Sequence, residues 1–372
     1  MTGPKSAPAT PHHRTAGPRP TAPDRDLTPP DSTPLRTGTL SWLFPHRSAL
    51  AAALLLPLLA LVITLATVAS STGMSVLDTV SGLLGTGDPG TVMIVRDFRL
   101  PRLCVGLMVG AALGVSGCLT QTLAGNRLAT PDIIGVNEGA TAAVVASAAG
   151  SATGMVGHWW LGPVGAVAAA VLVVLCAGGA GTAGYRVLVV GIGVSTVVGA
   201  FSDLIMSREN DNTAGGVFLW TVGSLNGRDW SAGTPFLIAL AFLLPLSLAA
   251  GHRLQLLRFD DEVAASLGAD LRRLRAAALA LAVALAGLAV GVGGPIAFVA
   301  LAAPVLAQAL CGPTRVPVLV SALTGAALVV AADALGRVAA PVELPVGVVT
   351  SVLGGPFLLW VLLRSDRTTG KA

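Results

Sequence analysis

The sequence predicts an all-α polytopic membrane protein with about ten transmembrane helices, and three observations carry that expectation. Hydrophobic residues make up 53% of the chain and charged ones only 11%, with a mean hydropathy of +0.77, far from the balance of a soluble domain. No acidic or basic residue occurs between Arg102 and Arg127. As α-helix at about 1.5 Å per residue, that stretch crosses the roughly 30 Å hydrocarbon core. Runs of the same kind then recur to the end of the chain.

Taken in order, residues 1–46 form a Pro-, Thr-, Ser- and Arg-rich segment too polar to offset the entropy of ordering, so a disordered cytoplasmic tail is expected. It lacks the layout of a cleaved signal peptide, since the first apolar run starts only near Ala49. A transmembrane domain follows over 47–366. Its ten candidate spans are Ala49 to Ser70, Pro101 to Ala124, Ile133 to Ala149, Leu161 to Ala180, Val187 to Met206, Pro235 to Ala250, Leu274 to Val292, Pro295 to Leu310, Val316 to Ala332 and Leu344 to Leu363. Several are short for a straight crossing and imply tilt or buried ends. Residues 367–372 form a short cytoplasmic tail.

An even number of spans puts both termini on one side, and Arg14, Arg36 and Arg47 make that side cytoplasmic. Alternation then places Arg127, Arg186, Arg253, Arg258, Arg272, Arg273, Arg275, Arg315, Arg364 and Arg367 inside, as the positive-inside rule asks. The pI near 9.2 follows from these flanking arginines, so no nucleic-acid partner is implied. The four cysteines lie in apolar runs without CxxC spacing and read as small buried hydrophobes, not as a disulfide framework or metal site. Trp159, Trp160, Trp220 and Trp230 fall on the outer side as interfacial anchors.

Arg96, Arg99 and Arg102, and Arg337 before the last span, lie on the outer face against the rule. Two readings are open: snorkelling at the interface with Asp97 as partner, or a surface that receives acidic groups of an external protein. Gly106, Gly110 and Gly114 repeat every four residues and mark a stripe where another backbone can come close. In the loop Gly125 to Pro131, Asn126 reads as a turn or cap residue. From Arg258 to Arg275 the cytoplasmic sequence reads as two short helices. Asp260 or Asp261 starts the first, Gly268 ends it, Asp270 starts the second, and Val263, Ala264 and Leu267 form a small apolar face.

No GxxxxGK[ST], HExxH or GxSxG sequence is present, so neither ATP binding of the usual kind nor hydrolase or metalloprotease chemistry is expected, and no catalytic or metal-binding residue is assigned. The acids within the spans, Glu138, Asp203 and Asp333, each lie near an end, which gives a proton relay little support.

Six segments in order resemble the permeases of the iron-siderophore and vitamin B12 type of ABC importer. They are RLPR (Arg99 to Arg102), VGAALGVSGCLTQ (Val109 to Gln121), NRLATPDIIGV (Asn126 to Val136), LGADLRRLR (Leu267 to Arg275), GGPIAFVALAAP (Gly293 to Pro304) and ELPVGVVTSVLGGPFLLWVLL (Glu343 to Leu363). The resemblance implies the type II import fold in the cytoplasmic membrane. It implies a second permease subunit, ATP-binding subunits that use the ATP, an extracytoplasmic siderophore-binding protein, and no cofactor on this chain. It also implies that Arg99, Arg102 and Arg337 receive acids of the binding protein. Leu267, Gly268, Arg272 and Arg273 would contact the ATPase, and the Gly178 to Tyr185 connection, with Gly181, Thr182 and Gly184, would form a cytoplasmic gate. The chain departs from the family's NPLA at Asn126 to Ala129, and from GFVGLxxPHxxR at Ala297, Ala300, Val305 and Gln308. Such drift suits a heterodimer of two permeases, with a homodimer as the alternative. Ferric siderophore import is the function implied, with cobalamin or haem as alternatives within the class. An ion-coupled secondary transporter or a non-transporting scaffold would be readings from other classes.

Overall fold

The computed structural model describes residues 32–37, 40–68, 75–149, 159–179, 184–209, 217–218, 220–312, 316–340 and 342–369. The chain divides into two units, Met1–His46 and Arg47–Ala372. In the first, where the sequence suggested no regular structure, Ser32–Thr37 (β1) pairs antiparallel with Leu40–Pro45 (β2) in the register Thr33 to Phe44 and Leu35 to Trp42. Alternation of Leu40, Trp42 and Phe44 with other residues is a strand period that composition alone hides.

Among the described residues of the second unit, all regular secondary structure is helical. Its elements are α1 (His46–Val68), α2 (Val76–Leu84), α3 (Pro89–Met93), α4 (Leu100–Ala124), α5 (Val136–Ala149), α6 (Leu161–Ala177), α7 (Gly184–Met206), α8 (Trp230–Leu254), α9 (Asp261–Ser266), α10 (Leu271–Gly293), α11 (Val299–Cys311), α12 (Val318–Val338) and α13 (Val346–Thr369). Six helical stretches are long and apolar enough to cross a membrane, and Leu161–Ala177, Val299–Cys311 and Val346–Val361 are shorter apolar helices. With α5 these match the ten spans read from the sequence. The short helices α2 and α3 lie between the first two. Ser75 and Asp78 form a reciprocal capping box at the start of α2, which also holds the Asp78 carboxyl below its ordinary range. Asp229 caps α8, and its hydrogen bond with the Ser231 side chain lowers its carboxyl in the same sense.

At the centre stands α4, buried along most of its length and packed on α8, α10, α11 and α12. The glycine stripe explains how. A Cβ added at Gly110 would run into the Gly325 carbonyl, and one at Gly114 into the Ser321 carbonyl, while Gly106 faces Val329 and Val330. Helices α4 and α12 therefore run antiparallel in backbone contact, with steps of four on one matched by steps of four on the other. One turn beyond Gly114, Gly117 abuts the Ala300 carbonyl of α11. Pro304 has no N–H to offer that carbonyl, and the bare Cα of Gly117 is what lets α4 approach it. Ser116 Oγ donates to the Ala282 carbonyl of α10 at 2.7 Å, and Gln121 Nε2 to the Leu301 carbonyl of α11 at 3.1 Å. Polar side chains thus tie α4 to its neighbours where no water is available.

Between α10 and α11 the chain is irregular. Ser224 N–H donates to the Gly293 carbonyl at the end of α10, and Gly347 N–H in the first turn of α13 donates to the Gly223 carbonyl, so the loop at 223–224 joins the ends of two helices and satisfies their backbone groups. Phe298 alone among the described non-glycine residues has positive φ, at 75°. Its ring meets Phe357 of α13 edge-on at 5.1 Å, a contact that ties the start of α11 to the middle of α13 and offsets the strain.

Three sequence expectations are corrected. Trp220 is buried, not an interfacial anchor, whereas Trp160 and Trp230 are exposed. Cys118 and Cys311 are buried as expected, but Cys176 is exposed on α6, a helix whose outward face carries Val164, Val167, Val171, Leu172 and Leu175. The second short helix of the 258–275 region is no separate element: it is the first turn of α10, because nothing after Arg275 breaks the helical period.

Candidate docking and coupling surfaces

Arg102 and Arg337 are gathered by the α4–α12 register. Stepping back four residues from Gly106 reaches Arg102, and stepping forward four from Val329 reaches Asp333. The two meet, with Arg102 Nε and NH2 both donating to Asp333 Oδ1 at 3.2 and 2.9 Å. The other carboxylate oxygen of Asp333 lies 3.4 Å from Nε of Arg337, one turn along α12. The third nitrogen of Arg102, NH1, donates to Glu343 at 3.1 Å. Side chains of Arg102, Asp333 and Arg337 are only 17%, 9% and 13% exposed, whereas Glu343 is 45% exposed.

Arg337 NH2 donates to the Ala66 carbonyl at 2.9 Å and Arg99 NH1 to the Thr67 carbonyl at 3.1 Å. These are last-turn carbonyls of α1, which has no basic residue of its own there. Guanidinium groups from two other helices thus satisfy and neutralise the negative end of α1. The turn Ile94–Arg99 is π-helical and carries Arg96 and Arg99 into α4 without a break. Arg99, Arg102 and Arg337 therefore form one cluster. The partners of Arg102 are Asp333 and Glu343, not the Asp97 suggested by sequence proximity. Those two acids were missed as site residues. Their signals were available in the i, i+4 spacing of Asp333 and Arg337 and in the steps of four on both helices.

At the other ends of α8 and α10 lies the second arginine-rich region. Helix α9 begins after Asp260 and ends at Leu267, and Gly268 follows with φ of 82°. Open space surrounds Gly268, so the glycine is needed for its left-handed backbone alone. Asp270 caps α10 by accepting from Arg273 N–H at 3.1 Å. Its carboxylate also pairs with Arg273 Nε at 3.0 Å, while Arg275 NH2 pairs with Asp261 at 2.7 Å and braces α9 against α10. The apolar face read from the sequence divides here: Ala264 is buried against the chain itself, and Val263 and Leu267 are exposed. Arg272 and Arg273 are exposed as well. An apolar residue presented beside arginines on a braced helix is suited to fill a groove on another protein.

Of the residues that the resemblance implies as a gate, Gly181 and Thr182 lie outside the described residues, and Gly184 opens α7. In the Gly125 to Pro131 loop, Asn126 Oδ1 accepts from Leu128 N–H at 2.9 Å, the structural turn role expected. No group of three or more His, Cys, Asp or Glu side chains that could hold a metal ion occurs among the described residues.

The FecCD transport family matches residues 58–364, most of the chain. The chain belongs to the FecCD transport family. It is 35% identical to the ferric enterobactin transport system permease protein FepG of Escherichia coli (strain K12) over 288 residues, which is 77% of this chain and 87% of FepG. To the Fe(3+) dicitrate transport system permease protein FecD of the same organism it is 38% identical over 284 residues, 73% of this chain and 85% of FecD. To the hemin transport system permease protein HmuU of Yersinia pestis it is 34% identical over 279 residues, 72% and 82% of the two chains. A solved metal-chelate type ABC transporter in an inward-facing conformation superposes with a TM-score of 0.73 at 24% identity, covering 85% of this chain and 99% of that one. The family and the apolar helices make this FecCD permease a multi-pass membrane protein with the type II import fold.

Proposed function

We propose that this FecCD permease imports a ferric siderophore across the cytoplasmic membrane by alternating access, driven by ATP hydrolysis in a partner subunit. The observation that carries the ATP-driven reading is the cytoplasmic loop. Leu267 is exposed at the end of a helix braced by the Arg275–Asp261 pair, where a partner's movement would be passed directly into α10. On the opposite side Arg99, Arg102 and Arg337 form a cationic cluster to which an acidic face of an extracytoplasmic binding protein can dock. The arginine distribution supports both termini in the cytoplasm. Exposed apolar residues on α7 (Ile192, Val197, Phe201) and on α13 (Val352, Leu359) suit a second permease subunit. The departures from the family pattern favour a heterodimer. Gly181, Thr182 and Gly184 remain the proposed gate. Ion coupling gains no support from Asp333, since its carboxylate is committed to two arginines.

The test is uptake of radiolabelled ferric hydroxamate, catecholate and mixed chelates, with cobalamin and haem alongside, in iron-starved cells with and without the permease. Selective loss of one ferric chelate is expected. Loss of haem or cobalamin alone would move the chain to that substrate, and uptake that persists after ATP depletion would overturn the ATP-driven reading.

A further inference from the structure

Arg102 makes two unlike ion pairs. Towards the interior its Nε and NH2 grip Asp333 Oδ1, and Asp333 is nearly inaccessible and shared with Arg337. Removing that carboxylate would strand two largely buried cations, which is costly. Towards the outside NH1 holds Glu343 through one bond of 3.1 Å, and the Glu343 side chain is 45% exposed. Such a pair is weakly held, because water can take over the carboxylate at little cost. The backbone beside Glu343 is anchored separately, by Leu344 N–H donating to the Gly336 carbonyl at 2.9 Å. The Glu343 side chain can therefore leave Arg102 while the segment joining α12 and α13 stays in place.

We infer that Glu343 is an internal stand-in for a partner's carboxylate: it occupies the outer N–H of Arg102 in the free permease, and an acidic side chain of the docked binding protein displaces it. This rests on the docking reading of the arginine cluster. The occupant is fixed by the chemistry of the position. A guanidinium held by its inner edge presents an outer N–H suited to a carboxylate, and an incoming acid replaces like with like. The exchange lowers docking affinity by the strength of the pair that must first break. It also keeps the outer face from attracting arbitrary anions. The exchange is assigned to Arg102 because its NH1 is the group that holds Glu343, while Arg337 is turned to Ala66 and Asp333.

The experiment measures docking of the purified binding protein to the permease complex in nanodiscs across a salt series. Glu343→Gln should tighten docking roughly two- to five-fold at low salt, the range expected for a weakly held exposed pair, and make it more salt-sensitive. The gain should vanish when Arg102→Gln is also present. Asp97→Asn, which neutralises an exposed acid on the same face without freeing Arg102, should have less effect and controls for net charge. Unfolding temperature of Glu343→Gln should match the unmodified complex, which shows that the variant is folded. If Arg102→Gln weakens docking but Glu343→Gln does not tighten it, the exchange is wrong and the docking reading stands. A Glu343→Gln gain that survives without Arg102, or is matched by Asp97→Asn, also overturns the exchange in favour of a bulk charge effect. If neither Arg102→Gln nor Arg99→Glu alters docking, the docking reading falls and takes the exchange with it.

Discussion

Both faces of this permease carry arginines next to acids, yet the two regions are built on opposite principles. In the α4–α12 cluster, Arg102 and Arg337 are mostly buried and share one buried carboxylate. In the α9–α10 region, Arg273 is 89% exposed and pairs with its own helix cap. Arg99, Arg102 and Arg337 hold α1, α4 and α12 together, so in the proposed docking role stability and recognition would depend on the same atoms. Arg275 braces α9 against α10, but Arg272 and Arg273 are exposed and contribute little to the fold. Residue type and net charge do not separate these cases; burial does.

Asp333→Asn should show the largest effect. It leaves two guanidinium groups largely buried without their shared anion, a loss of about 3 kcal/mol that thermal unfolding in detergent or nanodiscs would register. Docking and uptake should fall with it. An unfolding temperature unchanged from the parent would mean that Arg102 and Arg337 are solvated after all, and the contrast between the two faces would disappear.

How much of that contrast was legible beforehand depends on which physics sets each feature. Span number and order follow from apolar runs, which composition reports directly, and the left-handed Gly268 and the Asp270 cap follow from local chain chemistry. Asp333 as partner of Arg102 is a matter of register between helices more than two hundred residues apart. That register was half visible in the steps from Arg102 through Gly106 and Gly110 to Gly114. It becomes readable only when the matching steps Ser321, Gly325, Val329 and Asp333 are laid antiparallel to it. Trp220 misled because an aromatic residue near a span end is equally suited to an interface and to a packed loop. The continuity of α10 was hidden by Arg272, Arg273 and Arg275, which look like a loop in composition but interrupt no helical period.

Leu267→Asp tests the α9–α10 region from the opposite direction. Leu267 is 61% exposed, so its replacement should move stability by no more than about 0.5 kcal/mol. Uptake should nevertheless be lost, and co-purification of the ATPase subunit weakened, because a charge would be placed in an apolar groove. Intact complex formation together with intact uptake would remove the coupling role of this loop.

The smallest effect sharpens the comparison most. Arg273→Ala removes a pair with Asp270 that lies in water, worth about 0.2 to 0.5 kcal/mol, while the backbone cap from Asp270 to residue 273 remains. Unfolding temperature should therefore hardly move, in contrast to Asp333→Asn. Any loss of ATP-driven uptake would then have to come from a contact made by the Arg273 guanidinium with the partner. Uptake at the parental rate would remove Arg273 from the proposed coupling contact, and would leave Leu267 and Gly268 to carry it.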